Sequence, residues 1–103
     1  MPITKIKKSP ISDGVSRRFF KALDWLQSLG LINSLEDFCN EYGLSSPRYR
    51  EMRLTYGIAV TPGRMSRYKN IEIEALYYLA INFPVSSDWL LTGRGEMKRL
   101  YEI

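Results

Sequence analysis

Between Phe38 and Met52 the chain reads FCNEYGLSSPRYREM, two short helical periodicities separated by only GLSS. A four-residue link leaves two helices no choice but to cross at once. It demands a glycine where the first helix exits in a left-handed conformation and a small residue where the two come closest. Gly43 and Cys39 meet those demands. Phe38, Tyr42, Leu44, Tyr49 and Met52 then fall on the apolar seam that the pair shares. At about 100° per residue, Tyr49, Met52 and Tyr56 form the inward stripe of the second helix, so Pro47, Arg50, Glu51 and Leu54 face away and Arg48 and Arg53 lie on the flanks.

The remaining helices follow from periodicity and stop signals. Val15, Phe19, Ala22, Leu23, Leu26 and Leu29 recur at steps of three and four up to Gly30, which gives helix one. Ser34 with Asp37 opens helix two, of about nine residues. Ser46 as N-cap, with Pro47 at the first helical position, opens helix three, which runs to about Thr55. Tyr56 to Asn70 contains Gly57, Pro62 and Gly63 and reads as a long loop. Asn70 is the expected cap of an apolar helix from Ile71 to Phe83, which Pro84 forbids from continuing. Ser86 or Ser87 opens a last short helix closed by Gly93. The fold class is all-α, a compact five-helix domain over residues 15–97. A flexible basic arm (1–14) and a short tail (98–103) flank it.

At 103 residues there is room for one core. The longest apolar run, Ala75 to Ile81, is far below the roughly 20 residues that span a bilayer, so no membrane partner is expected. One cysteine excludes an internal disulfide and suits a reducing cytoplasm. With no histidine there is no familiar zinc site, and neither a metal nor another cofactor is expected. No nucleophile has a visible base and no small-molecule site is evident, so the chain is not read as an enzyme. Cys39 is read as packing, and Trp89, Leu90 and Leu91 as core.

The net charge of +4 is unevenly spread. Residues 1–23 carry +5, 24–42 carry −4, 43–70 carry +5 and 71–103 carry −2. The second basic block coincides with helix three and the loop after it. An exposed helix N-terminus bearing Ser46 and Arg50 has the donors and width that a DNA major groove accepts. Arg50 can donate twice to guanine, and Glu51 can accept from cytosine or orient Arg50. Arg48 and Arg53 are placed to meet phosphates. Arg64, Arg67 and Lys69, three bases within six residues of the loop, suggest an added contact to the DNA backbone or a partner. Lys5, Lys7 and Lys8 either lie along DNA or form a solubilising tail.

The stretch VSSDWLLTGRGEM, Val85 to Met97, resembles the end of the phage-repressor and Cro-like helix-turn-helix family. LEDFCNEYGLSS stands where that family has its helix-turn-helix and ALYYLAINF where it has helix four, so the resemblance covers roughly residues 15–97. It implies a lambda-repressor-like domain that binds double-stranded operator DNA, usually as a homodimer on a palindromic site, to regulate transcription. Its base-reading positions fall on Ser45, Ser46, Pro47, Arg50 and Glu51. Two departures stand out: Pro47 replaces a usually polar residue, and the loop before helix four is longer than typical. Regulation is then expected from dimerisation, a partner or expression level, since only KRLYEI follows Met97. The alternative is a helical protein–protein interaction module on the same fold, antitoxin-like or an accessory subunit, whose arginines meet an acidic partner.

Overall fold

The computed structural model describes residues 10–58, 62–63 and 65–99. It is all-helical, with α1 Pro10–Ser28, α2 Leu35–Glu41, α3 Ser46–Tyr56, α4 Ile73–Asn82 and α5 Ser87–Thr92. Among the described residues the only β pairing is an isolated antiparallel bridge between Val85 and Lys98.

Helix α1 begins five residues before the expected Val15. Pro10 takes the first position, where a missing N–H is harmless, and Asp13 in the first turn accepts from Arg17 Nε at 2.9 Å. Gly14 does not break the helix. A Cβ there would lie 3.0 Å from the Arg18 guanidinium, which passes over it. Residues 10–14 therefore belong to the helix rather than to an arm, and the arm's lysines lie outside the described residues. Phe19, Phe20, Ala22, Leu23 and Leu26 are buried and form the centre of the core. Leu29, expected on the same face, falls beyond the helix end and is half exposed.

The turn has the expected chemistry. Ser34 accepts from the Asp37 N–H, and α2 ends through Gly43 in the left-handed region (φ 70°). The chain reversal lets the Leu44 N–H donate to the Cys39 carbonyl at 2.8 Å. The cap of α3 is Ser45, whose hydroxyl accepts from the Arg48 N–H; this is one residue earlier than expected and moves Pro47 to the second helical position. Phe19 meets Phe38 and Tyr49, so α1 packs on both members of the pair.

Helix α4 starts later than expected, at Ile73 after Glu72, with no side-chain cap. Asn70 is employed elsewhere: its Oδ1 accepts from Ser12 Oγ at 2.8 Å. Phe83 is extended ahead of Pro84 and ends the helix. Ser86 caps α5 by accepting from the Trp89 N–H, and Gly93 closes it at φ 80°. Arg18 donates to the Leu90 and Leu91 carbonyls, fastening the exposed end of α5 to α1 with a cation where the helix dipole favours one. The chain then returns alongside residues 84–86. Ser86 N–H donates to the Met97 carbonyl, Arg99 N–H to the Pro84 carbonyl, and the Arg99 guanidinium to the Ala80 carbonyl at 2.7 Å. Trp89 and Leu90 are core as expected, whereas Leu91 is half exposed.

Candidate nucleic-acid interface

Helix α3 turns Tyr49, Met52, Thr55 and Tyr56 inward, with the first two fully buried. The Tyr49 hydroxyl donates to Glu72 Oε1 at 2.9 Å and accepts from the Glu72 N–H at 3.2 Å. Burial, above all, pushes this phenol well above the ordinary tyrosine range. The contact pins the chain entering α4 to the buried face of α3.

The loop between α3 and α4 is stitched along one flank of α3. Ser66 N–H donates to Thr55 Oγ1 at 2.8 Å, and Ser66 Oγ accepts from the Tyr68 N–H. Glu51 accepts from the Arg67 N–H at 3.2 Å and from its guanidinium at 3.4 Å. Arg48 donates to the Asn70 carbonyl at 2.9 Å, and its guanidinium stands 4.9 Å from the centre of the Tyr68 ring. These contacts fall on positions 48, 51 and 55 of α3, spaced as one stripe of a helix. The exposed basic loop thus rides beside α3 as part of one surface.

This arrangement changes the part several residues were expected to play. Arg48, expected on an open flank, is half buried against the loop, and its Nε is buried without a hydrogen-bond partner among the described residues. It positions the loop. Glu51, expected to face away, has both carboxylate oxygens engaged by Arg67 and anchors that arginine. Lys69 donates to the Ser66 carbonyl at 2.8 Å and is turned into the loop. Arg64 lies outside the described residues. Ser45 is exposed, but its hydroxyl is occupied as the cap.

What remains open is Pro47, Arg50, Arg53, Leu54 and Arg67. Arg50 keeps 52% of its side chain accessible. It lies 3.5 Å from Glu36 of α2 and donates to Ser46 Oγ at 3.4 Å. An exposed ion pair of this kind stabilises by about 0–1 kcal/mol at most, so Arg50 is available to a stronger acceptor. No segment of the described chain covers it. Pro47, Arg50, Glu51, Arg53 and Leu54 together line a shallow depression of about 370 Å³. Arg67, with 75% of its side chain accessible, stands at the rim beyond Glu51 and over the Tyr68 ring.

The residues that sequence reasoning missed are those of the stitching: Thr55, Ser66, Tyr68 and Asn70. One signal existed, since Thr55 falls three residues after Met52 on the inward stripe, and a hydroxyl on a buried stripe needs a partner. Cys39 is fully buried at the crossing. Burial chiefly, with Glu36 and Glu72 adding and Arg50 opposing, pushes its thiol up to about 11, so at neutral pH it stays protonated and serves as packing.

Among the described residues no three His, Cys, Asp or Glu side chains group in a way that could hold a metal ion, and no helix is long and apolar enough to cross a membrane. Comparison with protein-family models, curated proteins and solved structures gives no match.

Proposed function

We propose that the chain is a sequence-specific DNA-binding regulator of transcription, a helix-turn-helix domain of the phage-repressor and Cro-like kind. Its role is binding rather than catalysis, and its setting is the cytoplasm. The observation that carries the reading is the disposition of α3. One side is locked into the core through Tyr49 and Met52, one flank is locked to the loop, and the N-terminal end bearing Arg50 is left open. A rod of that width with a guanidinium near its N-terminus suits the major groove, where Arg50 donates to the O6 and N7 of a guanine. Pro47 and Leu54 offer apolar contact at the same surface, and a thymine methyl is the matching group. Arg53, in the last turn of α3, and Arg67 of the loop meet phosphates, which set register. In this reading Glu51 contributes by orienting Arg67 instead of reading a base. Two copies on a palindromic operator present two such helices.

Selection of bound duplexes from a random pool tests this. A consensus with two-fold symmetry is the expected result. On it, Arg50→Ala relaxes preference at one base pair per half-site, at a cost of about 1–3 kcal/mol. A pool that yields no enrichment, or a response to salt that is flat rather than linear in log affinity, points instead to an acidic protein as partner.

A further inference from the structure

Two of the arginines left open beside α3 carry a carboxylate with them. Glu51 holds Arg67 at 3.4 Å, and Glu36, in the first turn of α2, holds Arg50 at 3.5 Å across the turn. On spacing alone Glu51 is the group expected to orient Arg50. Its carboxylate is engaged by Arg67, and the place beside Arg50 falls to Glu36. We infer that Glu36 is a specificity-determining residue for the proposed DNA contact: it fixes which edge of Arg50 meets a base and withholds that arginine's charge from phosphates. The inference rests on the DNA-binding reading and names what makes that contact selective.

Atomic contacts decide the first part. Ser46 Oγ at 3.4 Å and Glu36 Oε2 at 3.5 Å both stand against Nη1 of Arg50. Among the described residues nothing bonds to its Nε or Nη2, the two parallel donors on the other edge of the guanidinium. Guanine presents O6 and N7 as two neighbouring acceptors, and no other base offers such a fork a pair of acceptors in the major groove. The free edge can take both while Nη1 stays with the protein. The fork is therefore oriented before DNA arrives, and the freedom of a long side chain is restricted in advance. Charge decides the second part. Binding to phosphates irrespective of sequence grows with each cation that displaces a counterion. Paired with the accessible Glu36 carboxylate, Arg50 presents a nearly neutral couple to a phosphate, whereas its two directional bonds to guanine remain. Sequences without the guanine therefore lose more from the presence of Glu36 than the matching sequence does.

The test is binding of the full chain to the selected consensus duplex and to a scrambled one, each titrated with salt. Glu36→Gln keeps the size of an exposed side chain and removes its charge. At about 0.1 M salt it is expected to raise affinity for the scrambled duplex about five- to eightfold, and to steepen the slope of log affinity against log salt by about 0.9 per copy. Affinity for the consensus is expected to stay within about twofold, so the ratio of the two affinities falls. Asp37→Asn is the control. It makes the same change of charge one residue along α2, on the side that lines a cleft with Gly30 and Phe83 and that no residue of α3 lines. It is expected to leave the ratio unchanged, and Glu36→Asp, which retains the charge, is expected to stay nearer the parent than Glu36→Gln. A parent that prefers the consensus while Glu36→Gln leaves the ratio unaltered, or an Asp37→Asn that lowers it equally, overturns the inference and leaves the DNA-binding reading standing. A chain that selects no consensus overturns both.

Discussion

Removing the hydroxyl of Tyr49 isolates the contact that joins helix α3 to the chain beside it. Tyr49→Phe keeps the fully buried ring in place, so little apolar packing is lost. What disappears is one hydrogen bond to a carboxylate and one from a backbone N–H. The first has a charged acceptor, worth about 1.5–3 kcal/mol when buried. Glu72 is only partly buried, so water replaces part of it and the lower figure applies. The second leaves the Glu72 N–H short of an acceptor at a cost of about 1 kcal/mol, and the variant regains some energy because no hydroxyl need be buried. The expected net loss is about 2 kcal/mol, a fall in melting temperature of roughly 8–15 °C for a domain of this length. Urea denaturation followed by circular dichroism measures the energy. Amide hydrogen exchange at residues 66–72 reports whether the loop is released with it. A variant within about 0.5 kcal/mol of the parent, with unchanged protection of the Glu72 amide, would falsify the view that this hydroxyl fastens the loop to α3.

Gly43→Ala is expected to cost about 1–2 kcal/mol, read by the same denaturation curves. At φ 70° an L side chain is strained, although nothing lies within 4 Å of the position a Cβ would take, so the cost is conformational and not steric. Cys39 makes stability fall at high pH. Burial holds its thiol up at about 11, above the ordinary cysteine range, so its contribution is complete below about pH 9 and is lost as pH rises through 11, amounting to on the order of 2 kcal/mol. Cys39→Ala should flatten that part of the pH–stability profile, and a profile that keeps its slope contradicts the assignment. Arg67→Gln is expected to weaken DNA binding to a similar extent on every sequence and to lower the slope of log affinity against log salt by about 1 per copy, whereas a change in sequence preference would make Arg67 a base reader.

Most of the architecture could be read from local signals, because each helix carries its own start and stop. The glycines at 30, 43 and 93, Pro84, and the serines at 34 and 86 lie at helix boundaries as expected. Errors of register arose where two residues of the same chemistry compete. Ser45 and Ser46 are adjacent, and it is the Ser45 hydroxyl that accepts from the Arg48 N–H. Asn70 has the right chemistry to cap α4, but Ser12 from the far end of the chain claims its side chain. The inward stripe of α3 and the exposure of Pro47 and Arg50 followed from angular spacing, whereas Glu51, expected outward, is held on the flank by Arg67. The flank did not. Whether Arg48 and Lys69 face solvent depends on where a loop of more than a dozen residues lies down, and that is decided by Thr55, Glu51 and Tyr68 acting together over separations that periodicity does not register. The exposure of Ile73, Tyr77 and Ile81 on α4 was hidden for a related reason: an almost wholly apolar helix has little polar face to reveal which side the core leaves open.

Backbone amide NMR during titration with the selected duplex addresses the proposed interface most directly. Shift changes are expected to concentrate at Ser45 to Leu54 and at Met65 to Lys69, with the Arg50 guanidinium signal moving on the specific duplex and staying still on a scrambled one. Changes centred on α1 and α2 with α3 silent, or an Arg50 signal that responds identically to both duplexes, would contradict a reading helix that begins at Ser46.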